Sequence, residues 1–184
     1  AVFFARALPH LEFQPSDPDP DNRASIDAWR EHAALPNVRP ALALDATAQT
    51  WPIAAPTALT CCNMIHIAPW EATVGLLRGA ERSLSLGHPL VLYGPYRRAG
   101  RHTAPSNESF DESLRARDAR WGVRDLDEVV REGGLDEVID PGLFHDRELV
   151  IVALVLPVTV GSFDLQIHQN RRRGFGALRV PHRI

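Results

Sequence analysis

Apolar positions along this chain recur in two rhythms, short nearly continuous runs and longer runs with helical spacing. LEFQP (11–15) reads as a first strand, closed by the Pro/Asp cluster SDPDPD. Residues 22–35 then set Ile26, Trp29 and Ala33 on one helical face. VRPALAL (38–44) is a second strand, and TALTCCNMIHI (57–67) a third, apolar enough to be buried on both faces. Residues 70–86 repeat Val74, Leu77, Ala80 and Leu84, with Gly87 as the stop. PLVLYG (89–94) is a fourth strand. Asp125 and Glu128 have the spacing of a capping box that opens a helix running to Gly133 and Gly134. LDEVID (135–140) and ELVIVALVL (148–156) complete the strands.

Strands alternating with helices predict an α/β domain with a mostly parallel sheet and helices on both faces. Ligands of such sheets bind at the carboxyl ends of the strands. Polar residues gather there: Asp17 after the first strand, Asp45 after the second, Asn63 to His66 at the third, and Tyr93 to Arg98 after the fourth. One acid after a strand is more often a helix cap than a ligand. Four polar strand ends shift the balance toward a site.

Composition narrows the chemistry. At 184 residues, 45% hydrophobic and 23% charged, the chain has the size and make-up of one globular domain. A net charge of −3 and a pI near 6.2 argue against a general nucleic-acid or membrane-surface binder. Cys61 and Cys62 are adjacent, which is neither a disulfide framework nor a metal spacing, and fits a reducing, cytoplasmic setting. The longest apolar run, 149–160, contains Pro157 and falls short of the roughly 20 residues of a membrane span. All 20 basic residues are arginine. The absence of lysine removes the Walker phosphate loop, Schiff-base chemistry and any Tyr-Lys dehydrogenase pair.

Several segments, DPDP after the first strand, LALD, NMIHIAPWEAT and above all LYGPYRRAGRHTAPSNESFDESLRARDARWGVRD, resemble the methyltransferase-like protein 26 family. Its members are class I S-adenosylmethionine (SAM)-dependent methyltransferase-like proteins of unassigned substrate. The resemblance spans about residues 1–140, and the block from Tyr93 to Asp125 is its specific part. It implies a Rossmann-like class I methyltransferase fold, with SAM as cofactor and a small molecule as methyl acceptor. Asp17 then occupies the position of the acid that accepts from the SAM ribose hydroxyls, a task suited to a carboxylate. Asp45 matches the position beside the adenine. Asn63 and Met64 lie at the strand end that flanks the methionine portion and faces the acceptor. His66, close by, is the candidate base, although satisfying a backbone carbonyl is the commoner role for a single histidine.

The resemblance also gives a role to the charged stretch after the fourth strand, which would fold over the strand ends as a lid and line the acceptor pocket with Tyr93. Phe110 and Leu114, four residues apart, would anchor its helix, and Ser109 or Asn107 would cap it. Trp121 with Gly122 suggests an aromatic wall on a tight turn, and Arg115, Arg117 and Arg124 an anion clamp. An amphipathic helix with a solvated charged face accounts for any one of these arginines. Asn107, Trp121, Arg124 and Asp125 together are the acceptor-site candidates.

Two departures from the family pattern qualify this reading. The opening AVFFARAL resembles the helix that follows the family's first strand and glycine-rich loop, so that strand and loop are expected to be missing from this sequence. From about His145 the likeness ends. Residues 1–156 are therefore read as an incomplete methyltransferase-like domain, and 157–184 as a divergent tail, a strand at most and then a disordered basic end. Two other functions stay open: a non-catalytic remnant or interaction module of the same fold, and a nicotinamide-dependent oxidoreductase. The oligomeric state is open too.

Overall fold

The computed structural model describes residues 1–134 and the backbone of 138–139 and 150–155. The expected strand at 157–184 and the basic end lie outside the described residues.

Order along the chain begins with helices α1 (Val2–Ala7) and α2 (Pro20–Ala33). Asp19 caps α2 by accepting from the Asp21 N–H at 2.7 Å, and Pro20 fills the first turn, where its missing N–H costs nothing. The helix predicted at 22–35 is thus present two residues early. Its expected buried face is not: none of its residues is buried, and Trp29 is 65% exposed. On either side of α2 the two predicted strands at 11–15 and 38–44 shrink to isolated parallel bridges, Phe13 with Val38 and Ser16 with Leu42. Pro15 and Pro40 lack the N–H groups that a continuous ladder would use.

The main sheet is built from β1 (Leu59–Cys62), β2 (Pro89–Gly94), β5 (Val138–Ile139) and β6 (Val150–Val155), in the order β1-β2-β6-β5. β1 and β2 run parallel, joined by α3 (Trp70–Ser83), with Leu59 opposite Leu90 and Cys62 opposite Tyr93. The sheet is mixed rather than mostly parallel, because β6 pairs antiparallel with both β2 and β5. Only residues 140–149 separate β5 from β6, fewer than the dozen or so that a parallel crossover takes. The third strand is also shorter than its apolar run. It stops at Cys62, and Met64–His66 forms a 3₁₀ turn.

The core lies between α3 and this sheet. Leu76, Leu77, Ala80 and Leu84 meet Ile65, Leu90, Leu92 and Tyr96, and Leu126 and Val129 join from α5 (Leu126–Glu132). Trp51 packs against the same cluster, and Ala48 O accepts from Arg82 of α3, which brings the segment after Asp45 onto that helix.

Two further pieces complete the described chain. β3 (Arg97–Arg98) and β4 (Arg101–His102) form a hairpin whose turn residues, Ala99 (φ 49°) and Gly100 (φ 75°), are both left-handed. That is the two-residue turn which matches strand twist. Helix α4 (Pro105–Arg117) follows, with Ala104 at its N-cap and Pro105 in its first turn. The expected caps Asn107 and Ser109 lie inside the helix instead. Leu114 is buried as expected of an anchor, and Phe110 half-buried.

Candidate polar site at the carboxyl end of the parallel strands

The site begins with a backbone choice made by Asn63. Asn63 ends β1 in the left-handed region (φ 59°), which asparagine tolerates better than most residues. Its N–H donates to Tyr93 O at 2.8 Å, and its carbonyl accepts from the His66 N–H at 2.9 Å. The chain therefore doubles back, and the side chains of Asn63 and His66 come to rest over Gly94 at the end of β2. There is no room for a larger residue at that point. A Cβ on Gly94 would lie 2.5 Å from His66 Nε2 and 2.9 Å from Asn63 Oδ1.

Tyr96 closes the floor, its ring edge-on to the imidazole with centroids 4.9 Å apart. His66 and Tyr96 are fully buried, and Asn63 Oδ1, His66 Nε2 and the Tyr96 hydroxyl are all sealed without a hydrogen-bond partner among the described residues. Asn63 Oδ1 and His66 Nε2 share the space over Gly94, and buried polar groups normally find partners. Burial holds His66 down to about 4, with Arg124 adding to the effect and Asp111 opposing it. Burial likewise raises the Tyr96 phenol and pushes the nearby Cys61 thiol up to about 11. All three groups are neutral at neutral pH.

The segment after α4 is fastened directly onto this turn. Gly122 N–H donates to His66 O at 2.9 Å, and Arg124 N–H to His66 Nδ1 at 3.2 Å. The Arg124 guanidinium reaches over Trp70 and donates to Ile65 O (2.9 Å), Ala68 O (2.6 Å) and Arg120 O (3.0 Å). Asp111, buried in α4, accepts from the Val123 N–H at 2.6 Å and from Arg115 Nε at 3.1 Å. Asp125 caps α5 through the Asp127 N–H and also accepts from Gly100 N–H at 2.6 Å, which clasps the β3–β4 turn. The expected reciprocal partner of that cap, Glu128, is not used; instead Asp127 accepts from Ala99 N–H.

The residues expected from the sequence fall into three groups. Asn63, His66 and Arg124 come together at the turn. Met64 and Tyr93 flank it, Met64 packed against the core and Tyr93 lending its carbonyl to Asn63. Asp17 and Asp45 follow the two parallel bridges. Asp17 Oδ1 accepts from the Asp19 N–H and Asn22 Nδ2, and Asp45 Oδ1 from the Thr47 N–H and hydroxyl. Each thus shapes its own turn with one oxygen, while Oδ2 has no hydrogen bond with the described residues. Asn107 is buried in α4, donating to Thr103 Oγ1, and Trp121 lies half-buried under Arg117 at 5.1 Å. Asp125 has the structural clasp described above. Gly94, Tyr96 and Asp111 were not among the expected site residues. For Gly94 and Tyr96 the YGPY sequence was the best signal, a small residue closing a strand and an aromatic just past it. Beside the turn, Trp70, Arg124, Glu128, Arg131 and Glu132 line an open groove of about 430 Å³.

Residues 1–139 match the family described as "Protein of unknown function (DUF938)". The chain belongs to that family. Its fold is methyltransferase-like. An O-methyltransferase family protein from Burkholderia thailandensis is similar with a TM-score of 0.71 at 15% identity, over 86% of this chain and 48% of that one. The S-adenosylmethionine-dependent methyltransferase SibL, in its apo form, gives 0.68 at 20% identity over 85% and 47%. PigF with SAH gives 0.69 at 11% identity over 83% and 46%. This DUF938 chain spans a little under half the length of those proteins. Among its described residues, no helix is long and apolar enough to cross a membrane.

Proposed function

We propose that this DUF938 domain binds SAM and serves methyl transfer to a small molecule, in the manner of the methyltransferase-like protein 26 family. The observation that carries the reading is the gathering of Asn63, His66 and Arg124 at the carboxyl end of the parallel strands β1 and β2, held there by the left-handed turn at Asn63 and the Arg124 N–H bond to His66 Nδ1. In a parallel α/β sheet that edge is where ligands bind, and the fold similarity to SAM-dependent methyltransferases supports SAM as the ligand. The residues present fit the nucleoside end of the cofactor and one flank of its methionine end. The free Oδ2 of Asp17 is available to ribose hydroxyls and that of Asp45 to the adenine amine, while Asn63 and Met64 stand at the methionine end. When bound, SAM supplies a methyl group that its sulfonium already makes electrophilic, so the protein contributes chiefly position. The groove beside Trp70 and the segment 118–125 supply the walls for the acceptor.

A second reading, an interaction module of the same fold, draws on the exposed aromatic surface of Phe3 (79% exposed) and Trp29 (65%). Calorimetric titration of SAM into the intact protein separates the two. Asp17→Ala is expected to weaken SAM by about 1.5–3 kcal/mol, roughly ten- to 150-fold, as for loss of hydrogen bonds to a charged group. Asp45→Ala is expected to cost less, since one contact is at stake. No binding at millimolar SAM would leave the interaction module as the better account, and unchanged affinity in Asp17→Ala would remove that residue from the site.

A further inference from the structure

We infer that His66 and Asn63 act as a pair, in which His66 Nε2–H donates to Asn63 Oδ1 and thereby fixes the carboxamide with its NH₂ group facing the ligand. His66 is then a positioning residue, and the ligand group over Asn63 is a hydrogen-bond acceptor, an anionic or carbonyl oxygen. The inference rests on the SAM-domain reading for the ligand, but the pair itself is read from geometry.

The argument starts at the far side of the ring. The Arg124 backbone N–H is a donor only, and it points at His66 Nδ1 at 3.2 Å. Nδ1 must therefore carry a lone pair, and a neutral imidazole places its one proton on Nε2. Nε2–H is thus a donor, sealed and unpartnered. Near it is an acceptor in the same condition, Asn63 Oδ1: a Cβ built on Gly94 would lie 2.5 Å from Nε2 and 2.9 Å from Oδ1. The two are not bonded in the structure, and rotation of the carboxamide about its soft terminal torsion is the movement that would join them. The opposite flip would turn NH₂ toward an N–H, two donors face to face, so the carboxamide has one preferred sense. Asn63 is only half-buried, and Nδ2 is neither sealed nor bonded, which leaves it open toward solvent at the strand end. The segment after α4 thereby sets the tautomer of His66, the tautomer sets the sense of Asn63, and Asn63 sets the polarity that a ligand meets.

Two measurements test the pair without reference to turnover. Long-range proton–nitrogen correlation spectra of ¹⁵N-labelled protein are expected to show His66 with a protonated Nε2 and a bare Nδ1. Protonated Nδ1 would overturn the inference, and wild type alone decides this point. Asn63→Asp keeps a residue type that accepts the left-handed conformation, while placing a charged oxygen against Nε2–H. The charged groups already acting on His66 are Arg124 from the segment after α4 and Asp111 from α4, and the variant leaves both in place. The His66 titration midpoint is expected to rise by a full unit or more; an unmoved midpoint in a folded variant would overturn the pair. Asn63→Asp is also expected to weaken SAM at least tenfold, through the lost outward N–H donor, and unchanged affinity would overturn the claim about ligand polarity. Failure of wild type to bind SAM, with the Nε2–H tautomer observed, would refute the cofactor reading alone.

Discussion

Gly94→Ala puts the packing of the site to its most direct test. The new methyl group would lie 2.5 Å from His66 Nε2, 2.8 Å from Cδ2 and 2.9 Å from Asn63 Oδ1. Carbon atoms in contact settle near 3.5 Å, so the imidazole must retreat by about 1 Å. It has nowhere easy to go. The ring is fully buried, edge-on to Tyr96, and held at Nδ1 by Arg124. Overpacking of this kind costs about 1–3 kcal/mol. Gly94 is not among the glycines with positive φ, so alanine fits the backbone and recovers about 0.5 kcal/mol by restricting the unfolded chain. The expected net loss is about 0.5–2.5 kcal/mol, or roughly 1–10 °C in Tm for a protein of this size. Urea unfolding of the wild type, Gly94→Ala, His66→Ala and the double variant gives a mutant cycle. Removing the ring should relieve most of the alanine penalty, so the two effects should be clearly non-additive. A Gly94→Ala protein as stable as wild type, or strictly additive losses, would refute the contact over Gly94.

Two other outcomes follow from the same region. Because His66 titrates near 4 when folded and near 6.5 when unfolded, the unfolded chain binds more protons between those values. Stability from this group is therefore complete above pH 6.5 and lost as pH falls toward 4, by up to about 3 kcal/mol; urea midpoints across that window should fall, and should do so less in His66→Gln. Asp125→Ala removes both the cap of α5 and the clasp on Gly100, with an expected loss of about 1–3 kcal/mol. Faster amide exchange at Gly100 and Asp127 in that variant would verify both contacts, whereas unchanged protection at Gly100 would sink the clasp.

What the sequence made legible was local. The period of Leu77, Ala80 and Leu84 located α3, and the apolar run at 89–94 coincides with β2. Misreadings came where one residue overrode a pattern. Asn63 broke an apolar run that reads as strand through residue 67, and its tolerance for the left-handed region was the available clue. Pro105 started α4 ahead of the capping residues chosen for it, since a proline suits the first turn. The site itself was half legible. Asn63, His66 and Arg124 stood out as polar residues near strand ends, but the bond between His66 and Arg124 spans 58 positions. Nothing in either local sequence announces it. Gly94 lay within the strand end the sequence pointed to, but its importance lies in what another segment sets down upon it.

That span of 58 residues has a consequence for the order in which the molecule comes into being. A ribosome completes the β1–α3–β2 unit, with its short-range contacts, before it reaches the segment that brackets the imidazole. Distant contacts wait on closure of the intervening loop. A nascent chain ending near residue 118 thus holds His66 without its Nδ1 partner or the Gly122 bond to its carbonyl. In that interval the ring is free to choose either tautomer and to take a proton. The arrival of residues 122–124 closes the choice, so the tautomer of His66 is fixed only by a contact made late in synthesis.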